Sequence, residues 1–187
     1  MAFLESELVD KQFEVLRELV PKATVMGFLV NRKSANAETQ LSAVTAANQA
    51  FGLEIAVQDA STERDLETAF AAFAQRRVAA LVVGSDPFFY AERALIAGLA
   101  TQHALPAIYY DREYVAAGGL MSYGASVTDA YRQVGVFTGR FLKGDKPADL
   151  PVQQPVKIEL IVNLRTAKAL GIEMPLSVLM RVNEAIE

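Results

Sequence analysis

With 187 residues, 52% of them apolar, and a mean hydropathy of +0.20, the chain can bury a sizeable core, which excludes an intrinsically disordered protein. Its 18 basic and 22 acidic residues leave a net charge of −4 without long blocks, so there is no electrostatic footprint for nucleic acid or an anionic membrane. Cysteine is absent and His103 is the single histidine, so thiol nucleophiles, Ser-His-Asp catalysis and His- or Cys-ligated metals lack their materials, and neither metal nor cofactor is expected.

Leu8, Phe13, Val15, Leu16, Leu19 and Val20 recur at helical spacing up to Pro21, which predicts an amphipathic helix over Glu5 to Val20. The run Thr24 to Val30 reads as a buried strand ending in Asn31-Arg32-Lys33-Ser34. Asn36 is placed to cap a helix of Leu41, Val44, Ala47 and Phe51 that Gly52 closes. Leu53 to Val57 alternates as a second strand, and Ser61 or Thr62 can cap the helix of Leu66, Phe70 and Phe73. Val78 to Val83 is a third strand, followed by Gly84-Ser85-Asp86-Pro87 and a helix of Tyr90, Leu95 and Leu99 with His103 in its tail. Pro106 to Tyr109 supplies a fourth. Strand, loop and helix in this rhythm imply an α/β fold: a Rossmann-like parallel sheet with helices on both faces.

Past that point the rhythm changes. Gly118-Gly119 leads into a further strand reaching Tyr123 and Gly124, and Asp129 to Leu142 is a predicted helix with Tyr131, Val134, Phe137 and Phe141 on its inner side. Pro147, Pro151 and Pro155 mark an extended connector, Ile158 to Val162 a strand, and Asn163 precedes a short helix, Thr166 to Leu170. Pro175 then opens a predicted helix over Leu176 to Ile186. This tail has too few strands to form a domain alone.

In open α/β sheets, ligands lie beyond the carboxyl ends of the strands. Here those ends carry Asn31 to Ser34, Ser85 to Phe89 and Tyr110 to Glu113. An amide, two carboxylates and several rings in one half-pocket suit an amino-acid-like solute: the carboxylates its ammonium, the rings its side chain. The competing readings are structural. Ser85-Asp86-Pro87 is also a good helix start, and the polar residues after Tyr109 suit an ordinary turn. Neither a Gly-rich phosphate loop nor a nucleophile elbow is present.

Several segments in order carry a family likeness: Lys11 to Pro21, Asp65 to Phe70, Asp86-Pro87-Phe88-Phe89, Pro106 to Gly124, Leu142 to Pro151 and Ile161 to Gly171. With them the chain resembles the ABC-transporter substrate-binding proteins of the type I periplasmic fold, the group with tryptophan- and phenylalanine-binding members. The resemblance implies two α/β lobes closing on a solute, with residues 1–115 as the second lobe and 116–187 as hinge crossover and tail segments of an incomplete first lobe. It implies polar ligand contacts at Asn31, Asp86 and Asp111, aromatic walls at Phe89, Tyr110 and Tyr123, and a hinge at Gly118, Gly119 and Gly124. It implies a small-molecule solute and an ABC permease as partners, no catalysis, and a periplasmic or lipid-anchored location for the family. The start, Met1 to Leu8, lacks the pattern of an export signal, so the chain as written is expected to remain cytoplasmic, with half of the cleft missing and an exposed lobe interface inviting self-association. Rival readings are the sensing domain of a transcription regulator, a small α/β enzyme using Asp86 and Asp111, or a fragment without function.

Overall fold

Seven strands share one sheet in the computed structural model, which describes residues 2–144 and 157–187. Helix α1 (Ala2–Leu19) leads into β1 (Val25–Val30), α2 (Ala37–Phe51), β2 (Glu54–Asp59), α3 (Glu63–Gln75) and β3 (Leu81–Val83). Then come α4 (Pro87–Ala91), α5 (Arg93–Gln102), β4 (Ala107–Tyr109), α6 (Arg112–Ala116) and β5 (Met121–Ala125). The chain ends with α7 (Val127–Leu142), β6 (Ile158–Asn163), α8 (Leu164–Ala169), α9 (Leu176–Leu179) and β7 (Glu184–Ile186). The sheet order is β2-β1-β3-β4-β5-β6-β7. Strands β1 to β5 run parallel, β6 is antiparallel to β5, and β7 is parallel to β6.

The apolar runs become central strands because side chains alternate between two buried faces. Met26, Phe28 and Val30 join the core beneath α1 and α2, where Phe13 and Leu16 are fully buried. Leu29, Leu81, Val83 and Tyr109 join the opposite core with Leu66, Phe70 and Phe73 of α3 and Ile96 of α5. Thr62 and Asp86, expected at helix starts, each accept a backbone N–H there, and Asn163, expected only to precede its helix, does the same. His103 ends α5, with its ring 6.0 Å from that of Phe70.

Four expectations are corrected. Asn36 makes no cap to α2; its amide donates instead to the Ser85 carbonyl at 3.1 Å. The turn after Tyr110 is a helix, α6, capped by Asp111. The predicted terminal helix stops after one turn at Leu179, because Asn183 binds both backbone groups of Leu160 at 2.8 Å and so draws Glu184–Ile186 onto the open edge of β6. The face of α7 expected to lie inward is turned out: none of its residues is buried, and Tyr131 is 74%, Val134 60% and Phe141 54% exposed. Among the described residues its apolar stripe is left open. The Pro147, Pro151 and Pro155 connector lies outside the described residues. Strands before and after residue 115 hydrogen-bond within the single sheet.

Candidate functional site

Parallel strands β1, β3 and β4 end together, so Asn31, Ser85-Asp86 and Tyr110-Asp111 meet on one sheet edge. Asp86 is 5% exposed and Asn31 9%. The Asn31 amide donates to both Asp86 carboxylate oxygens at 3.2 Å, while its own carbonyl accepts the Lys33 N–H at 3.0 Å. Oδ1 of Asp86 also accepts the N–H groups of Phe88 at 2.9 Å and Phe89 at 3.1 Å. The carboxylate therefore caps α4 and cross-links two strand ends at once, and Oδ2 keeps room for one further donor. Capping and ligand contact are compatible in such a group.

Tyr110 closes the third side: its hydroxyl donates to the Asp86 backbone carbonyl at 3.2 Å, and its ring meets Tyr114 edge-on at 5.5 Å. Burial, the largest influence, pushes the Tyr110 phenol up to about 12, so it remains a neutral donor at physiological pH. Oδ1 of Asp111 accepts the Glu113 N–H at 2.8 Å, whereas Oδ2 takes no hydrogen bond among the described residues. Asp111 lines a shallow groove, open to solvent and enclosing only about 10 Å³, with Tyr110, Ser122, Ser126 and Glu159. The Glu159 carboxyl is held below its ordinary range chiefly by its hydrogen bond with Lys157, whose Nζ lies 2.8 Å away. Phe88, half-buried, and Tyr90, 38% exposed, add rings near the edge. Such a surface can hold an ammonium against carboxylate oxygens and lay an apolar or aromatic body on phenyl and phenol rings. Among the described residues no group of three His, Cys, Asp or Glu side chains is disposed to hold a metal ion.

Asn31, Asp86 and Tyr110 are thus brought together by hydrogen bonds, Asp111 follows Tyr110 on a groove that neither Asn31 nor Asp86 lines, and two expected walls lie elsewhere. Phe89 is fully buried in the core beside α3 and α5, because the third residue after the Asp86 cap turns inward; half-buried Phe88 is the neighbouring ring with exposed surface. Tyr123 packs on the α1 face, since strand alternation gives the groove side to Ser122 and Gly124. The expected hinge also divides. Gly118, at φ +102°, and Gly119 lie where the chain enters β5, at the opposite edge of the sheet from Asp86. Thr166 Oγ1 donates to the Gly118 carbonyl at 2.9 Å and ties that turn down. Gly124 stands at the site edge, where a Cβ would come within 1.8 Å of the Tyr110 carbonyl oxygen.

Sequence reasoning missed Gln40, a 2% exposed residue of α2 whose side chain bonds both backbone groups of Ser85. Its signal was available: it is the polar member of a buried stripe of Ala37, Ala43, Val44 and Ala47.

A family model for ABC transporter substrate binding proteins matches residues 4–186. The chain belongs to that family. Substrate-binding proteins of this kind bind solutes and are not enzymes, which accords with an edge built of pinned polar groups and rings. A tyrosine-binding protein of Clostridioides difficile is 23% identical over 165 residues, 88% of this chain and 48% of its own length. The L-Trp complex of an ABC domain from Streptococcus pneumoniae has a TM-score of 0.80 at 24% identity, over 96% of this chain and 62% of that one. A conserved domain protein from Vibrio cholerae gives 0.81 at 23% identity, over 95% and 60%. The chain spans about half the length of the curated relative and about three fifths of these solved structures.

Proposed function

We propose that the Asn31–Asp86–Tyr110–Asp111 edge is one wall of a cleft for an amino acid or a similar small solute, in the substrate-binding component of an ABC importer. The observation that carries this reading is the convergence of Asn31, Asp86 and Tyr110 at the carboxyl ends of β1, β3 and β4, with Asp111 next to Tyr110; Asp86 Oδ2 keeps one acceptor position beside its bond from Asn31, and Asp111 Oδ2 takes no hydrogen bond among the described residues. Tyrosine and tryptophan, named with two of the similar proteins, are the first solutes to try.

The opposite wall belongs to the part of the relatives that this chain does not span. The exposed stripe of α7, running from Val127 through Tyr131 and Val134 to Phe141, supports that assignment, because an apolar face of this kind wants a packed neighbour. In this reading residues 2–125 and 157–187 form one lobe, and α7 reaches across to the other. The hinge then lies at Gly124 to Ser126 and Lys157, where the Ser126 N–H donates to the Lys157 carbonyl at 2.8 Å. Closure of the two lobes would present the loaded form to a permease outside the inner membrane. Left without that neighbour, the α7 stripe would drive self-association.

Thermal-shift screening of a full-length member carrying this chain, against the twenty amino acids, tests the reading. Stabilisation by L-tyrosine or L-tryptophan is expected, and no stabilisation by any amino acid removes the ligand class. The 187-residue chain alone should not bind at micromolar concentration; micromolar binding would overturn the half-cleft assignment.

A further inference from the structure

We propose that Gln40 is a positioning residue for the solute site: its carboxamide fixes the Ser85 peptide, and through it the direction in which the Asp86 carboxylate faces. The inference rests on the solute-binding reading above and adds a residue outside the ligand-contacting set.

Gln40 Nε2 donates to the Ser85 carbonyl at 3.0 Å, and Gln40 Oε1 accepts the Ser85 N–H at 2.9 Å. One planar amide thus binds both backbone groups of one residue, and so holds the two peptide units that flank Ser85, as a hydrogen-bonded residue of a neighbouring antiparallel strand would. Asn36 Nδ2 adds a second donor to the same carbonyl at 3.1 Å. The fit leaves no slack: a Cβ on Gly84 would lie 2.4 Å from Gln40 Oε1 and 2.9 Å from the Leu29 carbonyl oxygen. Asp86 follows directly, and its carboxylate has to meet Asn31, Phe88 N–H and Phe89 N–H together. The β3–α4 loop is only three residues long, Gly84 to Asp86, so a rotation of the Ser85 peptide passes straight to Asp86. A carboxamide seated among alanines and a valine has no packing advantage over an apolar residue. What it supplies is this paired hydrogen bond.

A glutamate at position 40 separates the roles. Protonated, its carboxyl group has one donor and one acceptor and can reproduce both bonds to Ser85; ionised, it has only acceptors and opposes the Ser85 carbonyl. The experiment measures amide hydrogen-exchange protection factors at Phe88 and Phe89, each corrected for intrinsic exchange, in wild type, Gln40→Glu and Gln40→Met. Phe70 and Phe73 of α3 report global stability. At pH 5, Gln40→Glu should retain Phe88 and Phe89 protection within about threefold of wild type, and at pH 8 lose tenfold or more, with Phe70 and Phe73 changing less. Gln40→Met should be low at both pH values. Protection in Gln40→Glu that is the same at pH 5 and pH 8 overturns the proposal. If Gln40→Met loses protection everywhere, the pH dependence of Gln40→Glu decides. In the full-length protein, L-tyrosine and L-tryptophan affinity should follow the same pattern. Wild type binding neither these nor any other amino acid removes the solute reading while leaving the amide result to stand. Wild type and Gln40→Glu binding equally well at pH 8 removes the positioning role.

Discussion

Replacing Asp86 with alanine tests whether this edge is held together in the way its hydrogen bonds indicate. The carboxylate accepts two N–H groups at the start of α4 and the buried amide of Asn31, so the substitution removes a helix cap and strands a second polar group. Loss of a cap costs about 1 kcal/mol. A buried amide left without its partner costs about 1–3 kcal/mol more. The sum, about 2–4 kcal/mol, corresponds in a chain of this size to a fall in Tm of about 4–16 °C. Urea unfolding followed by circular dichroism measures it, and Asp86→Ser, which restores a capping oxygen but not the reach to Asn31, should recover about 1 kcal/mol. A loss below about 0.5 kcal/mol for Asp86→Ala would refute the reasoning, since no cap or cross-link would then depend on the carboxylate.

Other outcomes follow from single contacts. In Gly124→Ala the new methyl would sit 1.8 Å from the Tyr110 carbonyl oxygen, where real contacts begin near 3.0 Å, so β5 and the Tyr110 backbone must move apart by about 1 Å. A loss of about 2–3 kcal/mol is expected, read as a Tm drop of about 4–12 °C, and an unchanged Tm would contradict the close approach. Tyr109 is fully buried, and among the described residues its hydroxyl has no hydrogen-bond partner. Tyr109→Phe should therefore be neutral or stabilising by about 1 kcal/mol, and a marked loss in thermal unfolding would mean that the hydroxyl is satisfied after all. Glu159 is held below its ordinary pKa, mainly by hydrogen bonding to Lys157, so the pair's contribution is present above the unfolded carboxyl pKa of about 4.3 and disappears as pH falls through the lower folded value. The stability difference between wild type and Lys157→Met should accordingly be visible at pH 7 and shrink progressively as pH falls below the unfolded value of about 4.3. A difference constant across that range would show that Lys157 acts through something other than this charge.

Much of this was legible in the sequence because it is local. Continuous apolar runs marked β1, β3 and β4, and Thr62, Asp86 and Asn163 announced helix starts, since a cap depends only on atoms within a few residues. The gathering of Asn31, Asp86 and Tyr110 followed from the rule that parallel strands end on one edge. Three readings failed where a partner distant in sequence decides. Tyr123 lies on the α1 face because register and alternation set the direction of every side chain in β5, and a shift of one residue reverses it. Residues 184–186 form a strand because Leu160 offers its backbone at an open sheet edge, a competition that helical periodicity cannot register. The stripe on α7 was recognised correctly as apolar, yet its burial depends on a surface that these strands do not provide.

The sequence by itself determined the alternation of strands and helices, the family, and which residue types stand at the strand ends. Only the tertiary structure decided that Gln40, 45 residues away from Ser85, holds the Asp86 loop, and that Phe89 and Tyr123 face away from the groove. The physical reason is range. Capping and hydrophobic periodicity are written within one or two turns of chain, whereas the direction of a side chain at a site is fixed by the backbone it meets across the sheet.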